Sequence, residues 1–350
     1  MKNKKKIFIT GESGTIPLAI QRMALNSSYL DVCNCQFSDF YDLKSLKKHQ
    51  SFSVREPEID FLDRELLFST LSDFWESIDV IVHSGAYVGT DYCLARPEDA
   101  IRANVEGTNN IVELCNKFRI KLVYFSTTAI FDPTDYSEDK PITENTRINP
   151  QTLYGITKYC GEQIVDRLCK TDKMIIRPVF GFSDYPDDLH SALTKVMYVI
   201  YHNYKNRDIP SNQVELDVLL DTRIKKSYVR AENIAASVLN LVDQEEWNED
   251  FNIGEPFYKS LDWYELYQKI SDAFLSIDSS MKDCDIFIGD SRINWYRKQD
   301  YLHYHNICDA KLRSRKADLE HLDKYLSIDE GIYKTGLSIT KNFLAKPYWI

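Results

Sequence analysis

The chain has 350 residues and carries 53 acidic against 43 basic side chains, a formal net charge of −10. That balance argues against nucleic acid as a bulk electrostatic partner, because binding phosphate backbones needs an excess of clustered Lys and Arg. No apolar run is long enough for a membrane span or signal core, so the expectation is a cytoplasmic protein with no membrane partner and a sizeable core.

The chain starts on a short basic flank, Lys2-Asn3-Lys4-Lys5-Lys6. Lys6 to Thr10 then reads as a buried parallel strand. It runs into Gly11-Glu12-Ser13-Gly14-Thr15-Ile16-Pro17, and an apolar helical pattern follows through Leu18, Ile20, Met23 and Ala24. Strand, glycine turn and helix together aim free backbone N–H groups at a pyrophosphate. Gly11 allows the tight turn and Gly14 the close approach of a cofactor. Pro17 stands where a third glycine is usual, and proline is tolerated in a first helical turn because its missing N–H has no partner to lose.

Further along, Asp79 to His83 is a strand leading into Ser84-Gly85-Ala86, and a helical pattern covers Ile101 to Phe118. Lys121 to Phe125 is another strand, ending at Ser126-Thr127-Thr128. Thr152 to Cys169 is helical and carries Tyr154-Gly-Ile-Thr-Lys158. Residues four apart share a helix face, so an ammonium here can stabilise a phenolate and draw the tyrosine pKa down from its usual value. Such a pair can move a proton to or from a hydroxyl that becomes a carbonyl. Lys173 to Arg177 is again a strand.

Repeated βα units with short apolar strands predict a doubly wound parallel sheet of Rossmann type, with ligands at the carboxyl ends of its strands. Gly11, His83, Thr127 and Arg177 all fall at such ends, so one site is expected to collect them. The expected division is a dinucleotide-binding part over 1–180, to which 214–254 partly returns, and a smaller C-terminal α/β substrate-binding part over 181–213 and 255–350. The eight cysteines lack a metal-type spacing and read as reduced thiols, with Cys33 and Cys35 on the second strand. His303 and His305 alternate without further ligands, so no metal is expected.

These motifs resemble, over nearly the whole chain, the extended short-chain dehydrogenase/reductases of the NAD-dependent epimerase/dehydratase family, whose members mostly act on nucleotide sugars. Asp60-Phe61-Leu62-Asp63 resembles the family segment that contacts the adenine, and His83-Ser84-Gly85-Ala86 the motif that passes along the cofactor. Asn104-Val105-Glu106-Gly107-Thr108-Asn109 resembles the helix whose asparagine supports the active site. Ser126-Thr127-Thr128-Ala129-Ile130-Phe131 resembles the active-site strand end, and alignment through Ile130 and Phe131 makes Thr127 the catalytic hydroxyl. Lys226-Ser227-Tyr228-Val229-Arg230 and Arg297-Lys298-Gln299-Asp300 are similar to the segments that hold the substrate diphosphate, and Phe251-Asn252-Ile253-Gly254 to the strand between them.

The resemblance implies an epimerase or keto-reductase of a nucleotide-diphosphate sugar. Its catalytic residues are Thr127, Tyr154 and Lys158. Its cofactor is NAD, with NADP left open, held by Gly11, Ser13, Gly14, Thr15, Ile16, Asp60, Phe61, His83, Ser84, Gly85, Ala86, Asn104 and Pro178 as well as Tyr154 and Lys158. Thr128, Lys226 and Arg297 are the implied substrate contacts. A homodimer is implied too, through the helix after Asn104 and the Tyr154 helix, with Ile111, Leu114, Cys115, Phe118, Ile164, Val165 and Leu168 as the apolar faces.

Departures from the family pattern carry information. No acid ends the second strand near Cys33-Asn34-Cys35-Gln36, and no arginine replaces it, so the choice between NAD and NADP is not written there. Thr128-Ala129 stands where dehydratases carry Asp-Glu, which argues against elimination of water. Arg177-Pro178-Val179-Phe180-Gly181 is shorter than usual and lacks a substrate-contacting asparagine. A keto-reductase of a non-nucleotide substrate and a non-catalytic dinucleotide-binding protein are the rival readings.

Overall fold

Alternation sets the architecture. Ile7 and Ile9 belong to one buried cluster and Phe8, between them, to another, as a strand buried on both faces requires. The structure, a computed structural model, describes residues 5–11, 14–25, 30–35, 60–72, 75–132, 142–183, 192–206, 208–209, 216–219, 227–254, 261, 263–283, 293–296 and 327–341.

The strands in chain order are β1 (Lys5–Thr10), β2 (Leu30–Cys35), β3 (Val80–His83), β4 (Lys121–Phe125), β5 (Lys173–Pro178), β6 (Phe180–Phe182), β7 (Leu216–Leu219), β8 (Tyr228–Arg230), β9 (Glu249–Ile253) and β10 (Ile293–Tyr296). Six of them form one sheet in the order β2-β1-β3-β4-β5-β9, and every pairing in it is parallel. This is the doubly wound Rossmann-type sheet expected from the sequence. Two small parallel pairs, β6 with β8 and β7 with β10, lie outside it.

Helices cover both faces of the sheet. On one, Ala19, Ile20 and Ala24 of the Thr15–Leu25 helix and Ile234, Ala235 and Val238 of the Ala231–Asp243 helix pack on Ile7, Val82, Phe125 and Ile176. On the other, the helices Arg64–Ser72, Gly107–Phe118 and Leu153–Leu168 cover Phe8, Ile81, Leu122 and Tyr124. A separate core joins the helices Ala192–Lys205, Trp263–Ile277 and Ile328–Lys341 through Met197, Phe274 and Ile332.

The helix expected from Ile101 to Phe118 is less regular than its periodicity suggests. A short helix, Pro97–Ile101, runs into a π turn, Arg102–Glu106, before the regular segment begins at Gly107. The apolar faces expected at a dimer contact need correction. Ile111, Leu114, Cys115, Phe118 and Val165 are core residues packed on the sheet. The large apolar side chains left exposed nearby are Val88, Tyr92, Leu94, Ile101, Ile156 and Leu168. Among the described residues, no helix is long and apolar enough to cross a membrane. None of them gather as three or more candidate metal ligands. Cys93, Cys115 and Cys169 are buried thiols and Cys160 is exposed.

Candidate active site

The chain adds β2 on one side of β1 and then crosses to place β3 on the other, so a switch point opens between β1 and β3. Gly11 leaves β1 with φ 69°, a left-handed value that suits glycine. A Cβ on it would lie 2.5 Å from the Cα of Gly85 just after β3. The two turns therefore touch backbone to backbone at the carboxyl edge. Gly14 differs, since a Cβ there would meet nothing nearer than 3.4 Å. Its N–H turns back to the Gly11 carbonyl at 3.2 Å, and its carbonyl takes the Leu18 N–H at 3.0 Å. The Thr15–Leu25 helix thus points its N-terminus at the switch point, with Thr15 and Ile16 in its first turn.

A buried hydrogen-bond chain underlies this edge. The Gly85 N–H donates to Thr10 Oγ1 at 3.1 Å, and Thr10 Oγ1 meets His83 Nδ1 at 2.7 Å. His83 Nε2 meets Thr108 Oγ1 at 3.1 Å, and Thr108 donates its proton to the Asn104 carbonyl at 2.8 Å. Since the Thr108 proton is committed, His83 donates from Nε2 and accepts at Nδ1. Burial, helped by the Lys158 charge, pulls His83 down to about 3, so the ring is neutral. Both nitrogens being engaged and the ring fully buried, His83 can offer a ligand only its backbone. The Ser84 hydroxyl donates to the Thr10 carbonyl at 2.5 Å.

The Leu153–Leu168 helix is capped by Thr152, whose hydroxyl accepts from the Gly155 N–H at 3.1 Å. Gly155 lets the helix close on the Thr128–Ile130 turn, since a Cβ there would stand 2.5 Å from the Ala129 carbonyl oxygen. Tyr154 is thereby brought close to Thr127, whose hydroxyl opposes the effect of burial on the phenol. One turn on, Lys158 is buried, with Nζ 4.4 Å from the centre of the Tyr124 ring. The Tyr124 hydroxyl donates to the Lys158 carbonyl at 3.1 Å.

Charge in this stripe differs from the expectation. Burial pushes the Tyr154 phenol up to about 12, against the pull of Thr127, and draws Lys158 down to about 7, against Glu162 and Cys93. The expected lowering of Tyr154 by Lys158 is not found. Desolvation sets the Tyr154 shift with Thr127 opposing it, and Lys158 Nζ lies over the Tyr124 ring instead. Cys93, on the Thr90–Ala95 helix beside Tyr154, is pushed up to about 11 by burial.

Arg177 does not join the site. Its Nε and Nη2 grip the two Glu162 oxygens at 2.8 and 2.9 Å, and Nη1 pairs with Asp250. The guanidinium is buried and held charged by these carboxylates, so it ties the Tyr154 helix to β5 and β9 instead of facing a ligand.

Asp60 Oδ1 accepts from the Leu62 N–H at 2.8 Å and shapes its own turn. Phe61 is fully buried, and Cβ atoms placed on Gly85 and Gly107 would stand 2.6 and 2.4 Å from its ring. Ala86 lies in the segment that follows β3, and Pro178 ends β5 opposite Ile253. Thr128 is buried directly behind Thr127. Ser13, Lys226 and Arg297 lie outside the described residues, as do His303 and His305. Sequence reasoning missed Tyr124, Thr108, Thr157 and Glu162. Only Glu162 left a trace there, as the third member of a Tyr154, Lys158, Glu162 stripe at four-residue spacing.

Residues 5–207 match the family described as RmlD substrate binding domain. An uncharacterized protein of Methanocaldococcus jannaschii is 31% identical over 45% of this chain and 50% of its own length. The dTDP-D-glucose 4,6-dehydratase of Dictyostelium discoideum is 25% identical over 57% of this chain and 49% of its own. The chain thus spans about half the length of these curated relatives. Among solved structures, UDP-glucose 4-epimerase of Thermotoga maritima with UDP-glucose shares the fold at a TM-score of 0.73 and 16% identity, covering 96% of this chain and 99% of that one. With a family match running from β1 through the helix that ends at Lys205, the chain belongs to the RmlD substrate binding domain family.

Proposed function

We propose that the protein is an NAD(P)-dependent epimerase or keto-reductase acting on a nucleotide-diphosphate sugar. The observation that carries this reading is the placing of Tyr154 beside Thr127, with Lys158 buried one turn along the same helix, at the carboxyl edge of β4, one strand from the Gly11–Gly85 contact. The edge fits a dinucleotide: the Gly14 position leaves room for close approach, and the buried Ser126 hydroxyl has no hydrogen-bond partner. Names of relatives point the same way, since they include a dehydratase and an epimerase of nucleotide sugars.

A bound nicotinamide dinucleotide supplies hydride exchange with the substrate carbon. The rest falls to side chains of this chain. Thr127 holds the reacting oxygen by a hydrogen bond, and Tyr154 exchanges a proton with that same oxygen. A phenol pushed up to about 12 is protonated at neutral pH, so Tyr154 is set to give its proton to a keto oxygen. Lys158, drawn down to about 7 by burial, changes charge close to neutral pH one helical turn from Tyr154. Thr128 and Ala129 supply neither the acid nor the base that elimination of water needs, so 4,6-dehydration is not part of this reading.

Three further assignments belong to the proposal. Lys226 and Arg297 hold the substrate diphosphate, with Arg297 the stronger because a guanidinium grips phosphate in a bidentate way. The dinucleotide part is 1–180 with 214–254, and the substrate part is 181–213 with 255–350. The chain forms a homodimer through the helix after Asn104 and the Tyr154 helix, the latter exposing Ile156.

The test is incubation of purified protein with NAD, NADH, NADP or NADPH and a panel of nucleoside-diphosphate hexoses and 4-keto-hexoses, followed by mass spectrometry. An epimer formed with tightly retained NAD, or a hydroxyl product formed as NADPH or NADH is consumed, is the expected result. Accumulation of a 4-keto-6-deoxy product would overturn the exclusion of dehydration, and inertness toward the whole panel would overturn the sugar-nucleotide reading.

A further inference from the structure

The segment after β3 is fastened at two points, and both fastenings lead to Asn104. Asn104 Oδ1 accepts from the Tyr87 N–H at 2.7 Å, and Nδ2 donates to the Tyr87 carbonyl at 3.0 Å. The carboxamide thus pairs with Tyr87 as a neighbouring strand would. The backbone carbonyl of Asn104 ends the chain through Thr108, His83 and Thr10 to the Gly85 N–H. Gly85 and Tyr87 are therefore the two ends of one closed hydrogen-bonded ring with Asn104 at its hub. Asn104 sits in the π turn Arg102–Glu106 and is fully buried; such turns recur where a helix must present one side chain out of register.

The ring has one branch. The second Nδ2 hydrogen of Asn104 goes to Thr157 Oγ1 at 2.9 Å, and Thr157 donates to the Tyr154 carbonyl at 3.0 Å. Cys93 adds a second donor to the Tyr87 carbonyl, with Sγ at 3.5 Å. Thr157, Asn104 and Cys93 are all buried, and the Asn104–Thr157 bond is shielded from bulk water.

We propose that Thr157 is a positioning residue that locks the Gly85–Tyr87 segment to the turn carrying Tyr154, so that the wall of the crevice and the proton donor move as one body. The inference rests on the reading of Tyr154 as the proton-exchanging group. Thr157→Val keeps the shape but removes the hydroxyl, leaving one Asn104 amide hydrogen buried without an acceptor and the Tyr154 turn untied. Thr157→Ser keeps the hydroxyl.

The test combines steady-state turnover with peptide-resolved alkylation of cysteines. Thr157→Val is expected to lower kcat roughly tenfold or more, as small misplacements of catalytic groups do, with dinucleotide affinity within about twofold of the parent. It should also speed alkylation of Cys93 while Cys115, on the core face of the Gly107–Phe118 helix, and Cys169, at the end of the Leu153–Leu168 helix, keep their protection in the core beneath the sheet. Thr157→Ser should restore both kcat and Cys93 protection. Unchanged kcat and unchanged Cys93 reactivity in Thr157→Val would overturn the inference, and so would failure of serine to rescue. If the valine variant does not fold, amide exchange in the parent decides: the Tyr87 N–H must exchange far more slowly than that of exposed Val88, and equal rates overturn the ring. An active Tyr154→Phe enzyme would instead refute the reading beneath, whatever Thr157 does.

Discussion

Gly11 and Gly85 meet with no side chain between them. A Cβ added to Gly11 would stand 2.5 Å from Gly85 Cα, and one added to Gly85 would stand 2.6 Å from Phe61 Cε1 and 3.1 Å from Thr10 Oγ1. The turn after β1 and the segment after β3 thus leave no room for a side chain between them, at the point where the strand order reverses. Gly85→Ala should cost about 1–3 kcal/mol, the usual penalty for overpacking a filled site. Urea denaturation reads this directly, and an unchanged midpoint would mean that Phe61 yields without cost.

Lys158 ties stability to pH. Its folded pKa is lowered from 10.5 to about 7. Between those values the unfolded chain binds the proton that the folded protein releases, so this group makes stability rise with pH from about 7 toward 10.5. Below pH 7 the folded protein carries a buried ammonium at full cost. Lys158→Met should therefore be more stable than the parent at pH 6, with the advantage fading toward pH 10, while turnover is lost. Chemical denaturation at several pH values checks it. A pH-independent difference would contradict the lowered pKa.

The proposed dimer makes a separate prediction. Ile156 and Leu94 are large, apolar and exposed on neighbouring helices. Ile156→Glu should leave the fold intact and yield monomers in sedimentation at micromolar concentration where the parent is a dimer. A monomeric parent would refute the contact.

Much of the fold was legible in the residues themselves. Short apolar strands flanked by glycine and hydroxyl residues marked β1, β3, β4 and β5, because local pattern and burial on both faces agree there. Tyr154 and Lys158 were legible because helical spacing alone places them on one face. What was not legible is long-range. Arg177 looked like a strand-end residue facing a ligand, and only the fold brings Glu162 and Asp250 to its guanidinium. Ile111 and Leu114 looked like dimer residues, and periodicity cannot say which partner an apolar stripe meets. Tyr154 was expected to be acidified by Lys158, yet the balance of desolvation against charge depends on burial that no spacing reveals. Asn104 is expected from the resemblance to support the active site, but the partner of its carboxamide, the Tyr87 backbone, is seventeen residues away and no local pattern names it.

Tyr154 is the group that the proposed reaction requires to exchange a proton with the substrate oxygen while hydride moves. The measurement that tests it most directly is the single-turnover rate of Tyr154→Phe against the parent, on the nucleoside-diphosphate sugar and dinucleotide found active in the panel. The phenol is half-buried and its ring fits unchanged as phenylalanine, so fold and dinucleotide affinity should persist. Loss of general acid assistance should lower the rate by about 10²–10⁴-fold. A Tyr154→Phe rate within about twofold of the parent would show that the proton travels another way, and would contradict the account.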